Sequence, residues 1–578
     1  MTAELPVPSL IAFACRAGRI SLEYRSTERT REGIESDPSR RCRHFDVREP
    51  HMFFSTRTPG ILAVAFLALM WNATDATSFD GAAHPVTTEA GDATTATSDN
   101  RPLSISVEEA ILLALANNGD LRVEILSPQI RQTFAAVERA AFDPVLRATA
   151  ARERVRDWDP SRAVGAREAL TEKTSGELSI EENLPTGTRI AGTVSGEKME
   201  STLYAEPASQ ARVGFTVTQA LLRGVSLRAN LARLYEARLD TRMSEYELRG
   251  FIESLVANVE KAYWDLALAE RQTEIVEESM SLARKQLQET SERVKVGRIA
   301  ETELAAAEAE VARRREELID AQRTADKRRI ALLRLISPPS APAWDNPLAL
   351  RDSPPGQPDI LEPLADHIAV ALRMRPELNQ ARLNAKKGNL EVVRTRNGLL
   401  PRLDFFVALG ATGYSESFGG APGEVDTGHY DAAVGLTMEF APINRAARAE
   451  ARRAVLTERQ MIRSVQNLQQ IVELDVRTAY LEVQRAIEQM EATTATRQYR
   501  ERTLYAETEK FKVGKSTSFL VAQAQRDLLD SRLAEVAATI SYMKALVELY
   551  RLDGSLLDRR GLDAPGREPV DLALSAEN

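Results

Sequence analysis

The chain is written twice, and each copy runs helix, β-strands, then a very long helical hairpin. A shift of 217 residues brings Tyr263 onto Tyr480, Ala262 onto Ala479 and Val259 onto Val476. The same shift puts Lys295-Val296-Gly297 on Lys512-Val513-Gly514 and Leu332, Arg334 and Leu335 on Leu549, Arg551 and Leu552. Near the front of each copy the shift is 257, with Ala114-Leu115 on Ala371-Leu372, Leu121 on Leu378 and Pro144 on Pro401. The first copy therefore carries about 40 extra residues between Pro144 and Tyr263, all in its strand-like part. A repeated unit that mixes membrane-type strands with oversized helices points to a conduit rather than to a set of separate globular domains.

Composition narrows the class further. Charged residues make up 28% of the chain and aromatic residues 6%, a balance that suits surface-rich helices better than a compact enzyme. The net charge of -9 gives no general attraction to nucleic acid. The two cysteines, Cys15 and Cys42, both precede the apolar run from Ile61 to Trp71. That run is too short to span a bilayer as a helix and has the length of a signal-peptide core. Arg57 supplies the preceding positive charge and Thr74-Asp75-Ala76 a small-residue cleavage site. Residues 52–76 are therefore read as a signal peptide starting at Met52, and residues 1–51 as an overextended N-terminus. Cleavage there leaves a mature chain without cysteine, which excludes disulfides and thiolate chemistry.

Residues 77–102, rich in Thr, Ala, Asp and Gly without periodicity, read as a disordered leader. The first repeat covers 103–337. It begins with two helices, marked by Val107, Ala110, Ile111, Ala114 and Leu115 at helical spacing and ended by Asp143-Pro144. Strand patterns follow, with Leu178 and Ile180, then Ile190 and Val194, then Val213, Phe215 and Val217, each set on one face. Residues 338–363 are a proline-rich linker, and 364–557 the second repeat. There Leu403, Phe405, Val407 and Leu409 alternate with smaller or polar residues, as do Val434, Leu436, Met438 and Phe440. Apolar residues alternating with small or polar ones over about 10 positions are the pattern of a membrane barrel strand. A half-buried strand of a soluble sheet has the same pattern. Proline-free stretches of about 70 residues, at 1.5 Å each, give helices of about 100 Å after each strand set. Each ends at Lys-Val-Gly, where glycine accepts the left-handed conformation and lets the chain turn back. Residues 558–578 read as a polar tail.

No catalytic constellation stands out. The five histidines, His44, His51, His84, His367 and His429, are scattered, and none has a cysteine at metal-ligand spacing. Gly514-Lys515-Ser516 looks like the end of a phosphate-binding loop, but Glu509 stands where that motif requires glycine. Glu301 and Glu303, just past the first helix break, suit a helix N-terminus through the dipole. They become functional candidates only if the helix ends converge on a pore. The chain is read as a non-enzyme without metal or cofactor.

These features together resemble the outer membrane efflux proteins, the TolC-like family. The resemblance is carried by Phe142-Asp143-Pro144 and Leu399-Leu400-Pro401 entering the strands, Leu184-Pro185-Thr186-Gly187-Thr188 between them, and Leu221-Leu222-Arg223-Gly224 leaving them. Ala262-Tyr263 and Ala479-Tyr480, then Val296-Gly297 and Val513-Gly514, complete it. It implies a mixed α and β membrane protein with internal duplication. A homotrimer would share one β-barrel in outer-membrane lipid, continued by an α-helical barrel in the periplasm. It also implies a channel for tripartite efflux or type I secretion that works with a periplasmic adaptor (membrane fusion) protein and an inner-membrane pump, with no nucleic acid involved. The tips Val296, Gly297, Arg298, Val513, Gly514 and Lys515 look like the adaptor-contact surface. Glu301, Glu303, Ser518, Leu520 and Gln523 look like the tunnel constriction. Leu520 and Gln523 stand where well-studied members carry aspartates, so Glu303 is the nearest acidic counterpart. Family members usually lend four strands per protomer, and the extra residues of the first copy either add a hairpin to make six or lengthen a loop.

A periplasmic coiled-coil adaptor or structural protein with a small β-domain is the alternative, and a secreted enzyme with a helical insert a more distant one. The tip assignment predicts that Gly514→Pro impairs export while the trimer still assembles. Native gels and a substrate-efflux assay on the same strain check this, and normal transport would remove the assignment.

Overall fold

The computed structural model describes residues 12–16, 19–23, 103–158, 168–202, 207–297, 300–340, 344–358, 360–417, 419–425, 428–513 and 515–571. The signal-peptide and leader expectations, at 52–76 and 77–102, lie outside the described residues. Strands β1 (Ala12–Arg16) and β2 (Arg19–Glu23) form a hairpin within the segment read as overextended, and β2 pairs in parallel with Leu562–Asp563.

The first copy begins with a short strand β3 (Leu103–Ile105) and helix α1 (Val107–Asn117). Ser106 caps α1 in a full capping box: its hydroxyl accepts from the Glu109 amide at 3.2 Å, and Glu109 accepts from the Ser106 amide at 3.0 Å. Asn118 accepts from the Leu121 amide and so starts α2 (Gly119–Glu124), which α3 (Leu126–Arg139) continues. Four strands follow: β4 (Val145–Trp158), β5 (Glu168–Asn183), β6 (Thr188–Ser201) and β7 (Ala208–Ala220). The β5–β6 turn is the Leu184–Thr188 motif, with Gly187 at φ +80° and its amide bonded to the Leu184 carbonyl at 3.0 Å. A short helix α4 (Leu227–Asn230) leads into α5 (Ala232–Lys295), and α6 (Glu301–Ile336) returns. The second copy has β8 (Leu348–Leu350) before it, then α7 (Leu364–Met374), α8 (Pro376–Asn397), β9 (Arg402–Ser415), β10 (Tyr430–Glu439), α9 (Arg445–Lys512) and α10 (Ser518–Leu552). A last turn α11 (Leu556–Arg559) precedes β11 (Leu562–Asp563).

The extra residues of the first copy make a strand pair, not a loop. One antiparallel sheet contains six strands in the order β10-β9-β7-β6-β5-β4. The two copies meet at the β7–β9 pairing, and β4 and β10 are left as its edges. No alternating pattern marks β4 among the residues, since its outer half reads Arg152, Glu153, Arg154, Val155, Arg156 and Asp157.

The four long helices pack side by side, α6 on α5, α5 on α10 and α10 on α9. Repeat-related positions serve the same purpose in both cores. Val259, Tyr263 and Leu332 sit in one cluster with Val256, Leu266 and Val547. Val476, Ala479 and Leu549 sit in the other with Val472, Val483 and Tyr542. Burying each such aliphatic side chain is worth about 1.5–3 kcal/mol, and this seam rather than helix propensity holds the shaft. The repeated tyrosines have diverged. Tyr263 donates to the Ile105 carbonyl and accepts from the Arg351 and Asp352 amides at 3.2, 3.2 and 3.1 Å, fastening the parallel β3–β8 pair to α5. Tyr480 instead lies beside His367, with ring centroids 6.1 Å apart. His367 is buried, and its Nδ1 meets the Asp553 carboxylate at 2.7 Å, which ties the start of the second copy to its end.

The C-terminal segment departs from the polar-tail reading as far as it is described. Val570 is buried, its amide donates to Asn379 Oδ1 at 3.0 Å, and Tyr246 donates to the Glu568 carbonyl. Arg560 grips buried Glu260 through two bonds of 2.7 and 2.6 Å. These contacts pin residues 558–571 against α5 and α8. Close by, Arg249 and Glu253 form an ion pair of 3.0 Å, both at most 3% exposed.

Burial is the main force on Glu253 and raises its pKa to about 7, against the attraction of Arg249 and helped by Glu377 and Asp553. The unfolded chain releases this proton near its ordinary 4.5, whereas the folded protein keeps it to about 7. The stabilisation is therefore complete below 4.5 and is lost as pH rises through 7, by at most about 3 kcal/mol. Denaturant unfolding in detergent at pH 5 and pH 8 should give a midpoint that falls with pH, and Glu253→Gln should flatten that difference.

Candidate functional site: sheet faces and helix tips

Paired positions of an antiparallel sheet share a face, so the register sorts the strands into two surfaces. One surface carries Leu146 and Ala148 of β4, Leu178 and Ile180 of β5, Ile190 and Val194 of β6, Val213, Phe215 and Val217 of β7, Phe405, Val407 and Leu409 of β9, and Val434, Leu436 and Met438 of β10. The one charge in these rows is Glu182 of β5, in register with Ile190 at the helix-side end of the band. Ile180, Val194, Phe215, Leu409 and Leu436 are all exposed, which in water would be a large apolar patch. On the same surface, beyond the band, charges begin at once. Arg152 and Arg154 pair with Glu172 at 2.9 and 3.1 Å, and Arg156 pairs with Glu168 at 3.2 Å.

The opposite surface is mostly polar, with Phe406, Val155 and Met199 among its larger apolar side chains. It holds Lys173–Glu197 at 2.8 Å, Arg189–Glu181 at 3.2 Å and Arg402–Asp404 at 2.7 Å. Arg212 of β7 reaches across β9 to Asp431 of β10 through two bonds of 2.6 and 2.7 Å. Gly410 lies beneath this crossing, and a Cβ there would stand 2.5 Å from the guanidinium and 2.6 Å from the carboxylate. Gly435 similarly receives the Phe406 ring. One face thus suits hydrocarbon and the other water.

The helix tips lie at the far end of the long hairpins. At the first, the Gly297 amide bonds to the Val294 carbonyl at 2.9 Å with φ +69°, and open space surrounds the glycine. At the second, the Lys515 amide closes on the Lys510 carbonyl at 2.8 Å, and Ser516 donates to Glu507 at 2.7 Å. Lys510 first, then Ser516, hold the Glu507 carboxyl below its usual range. Val296, Val513 and Lys515 are exposed. Arg298 and Gly514 lie outside the described residues. Arg293 sits over the Phe511 ring at 5.6 Å, so the two tips are neighbours. That contact joins residues of different copies, and no local pattern announced it.

The constriction candidates begin the returning helices. Glu301, Leu520 and Gln523 are exposed, Glu303 is half-buried with a polar partner, and the side chain of Ser518 lies outside the described residues. Arg526 and Glu310 come within 3.7 Å a few turns further on, which brings the starts of α6 and α10 to the same end. Asp527 and Asp530 also stand on α10, beyond the positions singled out in sequence; Asp527 is bound by Arg500 at 2.7 Å, and Asp530 is exposed. Among the described residues no group of acidic, histidine or cysteine side chains could hold a metal, and no helix is long and apolar enough to cross a membrane.

The family model described as outer membrane efflux protein matches residues 110–337 and 368–555, which is most of the chain and coincides with its two copies. The chain belongs to the outer membrane efflux protein family. Its members are channel proteins of the outer membrane, not enzymes. No curated protein matches the chain in sequence. A membrane protein from Pseudomonas aeruginosa shares 18% identity, with 82% of this chain and 92% of that one covered and a TM-score of 0.59. The CmeC outer membrane channel of Campylobacter jejuni shares 16%, covering 78% and 86%, with a TM-score of 0.56. The open state of the MtrE outer membrane channel of Neisseria gonorrhoeae shares 19%, covering 78% and 89%, with a TM-score of 0.53. At such identities the likeness is one of fold.

In this efflux-family sheet Gly410 leaves no room for a side chain beneath the Arg212–Asp431 crossing. Gly410→Val should destabilise the folded protein by about 1–3 kcal/mol, read as a lower unfolding temperature in detergent. Removing the crossing pair with Arg212→Ala and Asp431→Ala should relieve most of that loss, and a loss unchanged by removing the pair would contradict the crossing.

Proposed function

We propose that the chain is one subunit of a homotrimeric outer-membrane channel, passive in itself. It would export small molecules or polypeptides for a tripartite efflux pump or a type I secretion system. The observation that carries this reading is the six-stranded sheet with an apolar band across one face and ion pairs on the other, set at the end of four packed helices. A sheet of this kind has unpaired edges. In hydrocarbon each unsatisfied backbone group costs several kcal/mol, so only closure with sister subunits makes the apolar face tenable. The two longest helices, α5 and α9, each about 100 Å at 1.5 Å per residue, extend the passage through the periplasm.

The paired tips around Val296-Gly297-Arg298 and Val513-Gly514-Lys515 are the surface for a periplasmic adaptor, which links the channel to an inner-membrane pump. Their charge is carried on short-range pairs, Lys510 with Glu507 and Lys512 with Glu509, both solvent-facing. Glu301 and Glu303, with Ser518, Leu520 and Gln523, line the periplasmic entrance. Three copies of Glu303 around one axis favour a bound cation over three separate anions.

Purified protein in planar bilayers should conduct ions and favour cations, and Glu303→Gln should lower the cation-to-anion permeability ratio severalfold without changing expression. A protein that stays monomeric and soluble without detergent would end the channel reading in favour of a periplasmic structural role. Unchanged selectivity in a conducting Glu303→Gln channel would remove only the Glu303 ring.

A further inference from the structure

We infer that each subunit lends all six strands to the barrel wall, so that three copies close a barrel of eighteen strands through a β4–β10 seam. This rests on the trimeric channel reading above and goes beyond it by naming the interface and the width of the passage.

Three observations carry it. The first is height. Leu146 and Ala148 of β4 stand in register with Ile180 and Leu178 of β5, and these with Gly192 and Val194 of β6 and with Phe215 and Val213 of β7. The β4–β5 hairpin therefore carries the same uncharged band as the other strands, at the same level. A hairpin lying outside the bilayer would have no reason to keep it, and this one turns charged just beyond, at Arg152 and Glu172.

The second is slant. On β4 and β5 the band runs from Ala150 to Leu146 and from Gly176 to Ile180. On β9 it runs from Ala411 to Leu403, and on β10 from Ala432 to Met438. Tyr430 of β10 is in register with Ala411, hence with Val213, Val194, Leu178 and Ala148. The centre of the band thus slides towards the helices by about two side-chain rows from β4 to β10, the stagger that strands tilted in a barrel must show. The β4 and β5 bands are level with each other, from Ala150 paired with Gly176 to Leu146 paired with Ile180, and the slide sets in from β6 onward, so the hairpin continues the upper end of the same tilted wall.

The third is polarity. β4 leaves the helices after Pro144, and β10 returns to them at Glu439. The two edges therefore run antiparallel when one copy's β4 meets its neighbour's β10, as in every other pairing of the sheet. Continuing the slide sets Ala148 opposite the middle of the neighbouring band, near Val434. Because barrel diameter grows roughly linearly with strand number, a wall of eighteen strands is about half as wide again as one built from four per subunit.

The test uses the full chain with Cys15→Ser and Cys42→Ser. Ala148→Cys is combined in turn with Ala432→Cys, Val434→Cys and Leu436→Cys, and the outer membranes are oxidised. The expected result is covalent dimer and trimer bands from at least one pair, strongest near Val434. A parallel series joins Val194→Cys of β6 to the same three β10 positions. Intersubunit bands from that series would mean that β6 closes the barrel and β4–β5 stands outside it, which overturns the inference. A trimeric mass in detergent with no cross-link from the β4 series overturns it equally. A monomeric mass would instead defeat the trimer itself. For variants that fail to assemble, a fluorophore on Leu146→Cys alone decides: quenching by brominated lipid supports the wall position, and quenching only by aqueous iodide refutes it.

Discussion

A β-sheet edge in hydrocarbon has nowhere to place its amide and carbonyl groups, and that constraint governs the rest of this protein. The apolar band across β4 to β10 is useful only in lipid, yet the same lipid forbids the open edges of a single copy. Inside the sheet the opposite rule holds. Lys173–Glu197, Arg402–Asp404 and Arg212–Asp431 place ion pairs on the surface turned away from the band, where water can reach them. Such solvent-facing pairs add little stability individually. Their effect is to keep one face wet and the other dry, so that the sheet has a single workable orientation.

Duplication supplied the scaffold, and divergence distributed the tasks. Val259 and Val476, Leu332 and Leu549 still occupy matching places in the two helical seams. The surrounding polar contacts no longer match. Tyr263 fastens the β3–β8 pair, while the place beside Tyr480 is taken by the buried His367–Asp553 contact. The strands diverged most, since the first copy contributes four and the second two. A helical seam tolerates little change in length, because its buried positions must stay in step with those of the neighbouring helix. A barrel wall accepts another hairpin wherever two neighbouring strands can part.

Much of this was legible in the residues because the signal was periodic. Leu403 to Leu409 and Val434 to Phe440 alternate cleanly, and β9 and β10 lie there. Lys-Val-Gly marked both helix ends, and α5 and α9 stop at Lys295 and Lys512. What stayed hidden had no local period. β4 leaves the apolar band halfway along and becomes a row of arginines, so its alternation is too short to stand out. The Arg212–Asp431 crossing and the Arg293–Phe511 contact join residues of different copies, and only the assembled sheet and shaft bring them together. The tail looked polar because its anchors are few: one buried Val570 and backbone groups bonded to Tyr246 and Asn379. At the helix tips the sequence located the breaks, while the contacts that brace them, such as Ser516 with Glu507, depend on the turn's shape.

The side-by-side packing of α5, α6, α9 and α10 makes the shaft a ruler. Each residue adds 1.5 Å of rise, so the reach of the protein is fixed by residue count. Lengthening one of the four alone would slide its apolar seam past its neighbours and bow it outward. A longer or shorter reach therefore requires matched insertions in all four helices, close to whole heptads, and the length of the shaft can change only in such coordinated steps.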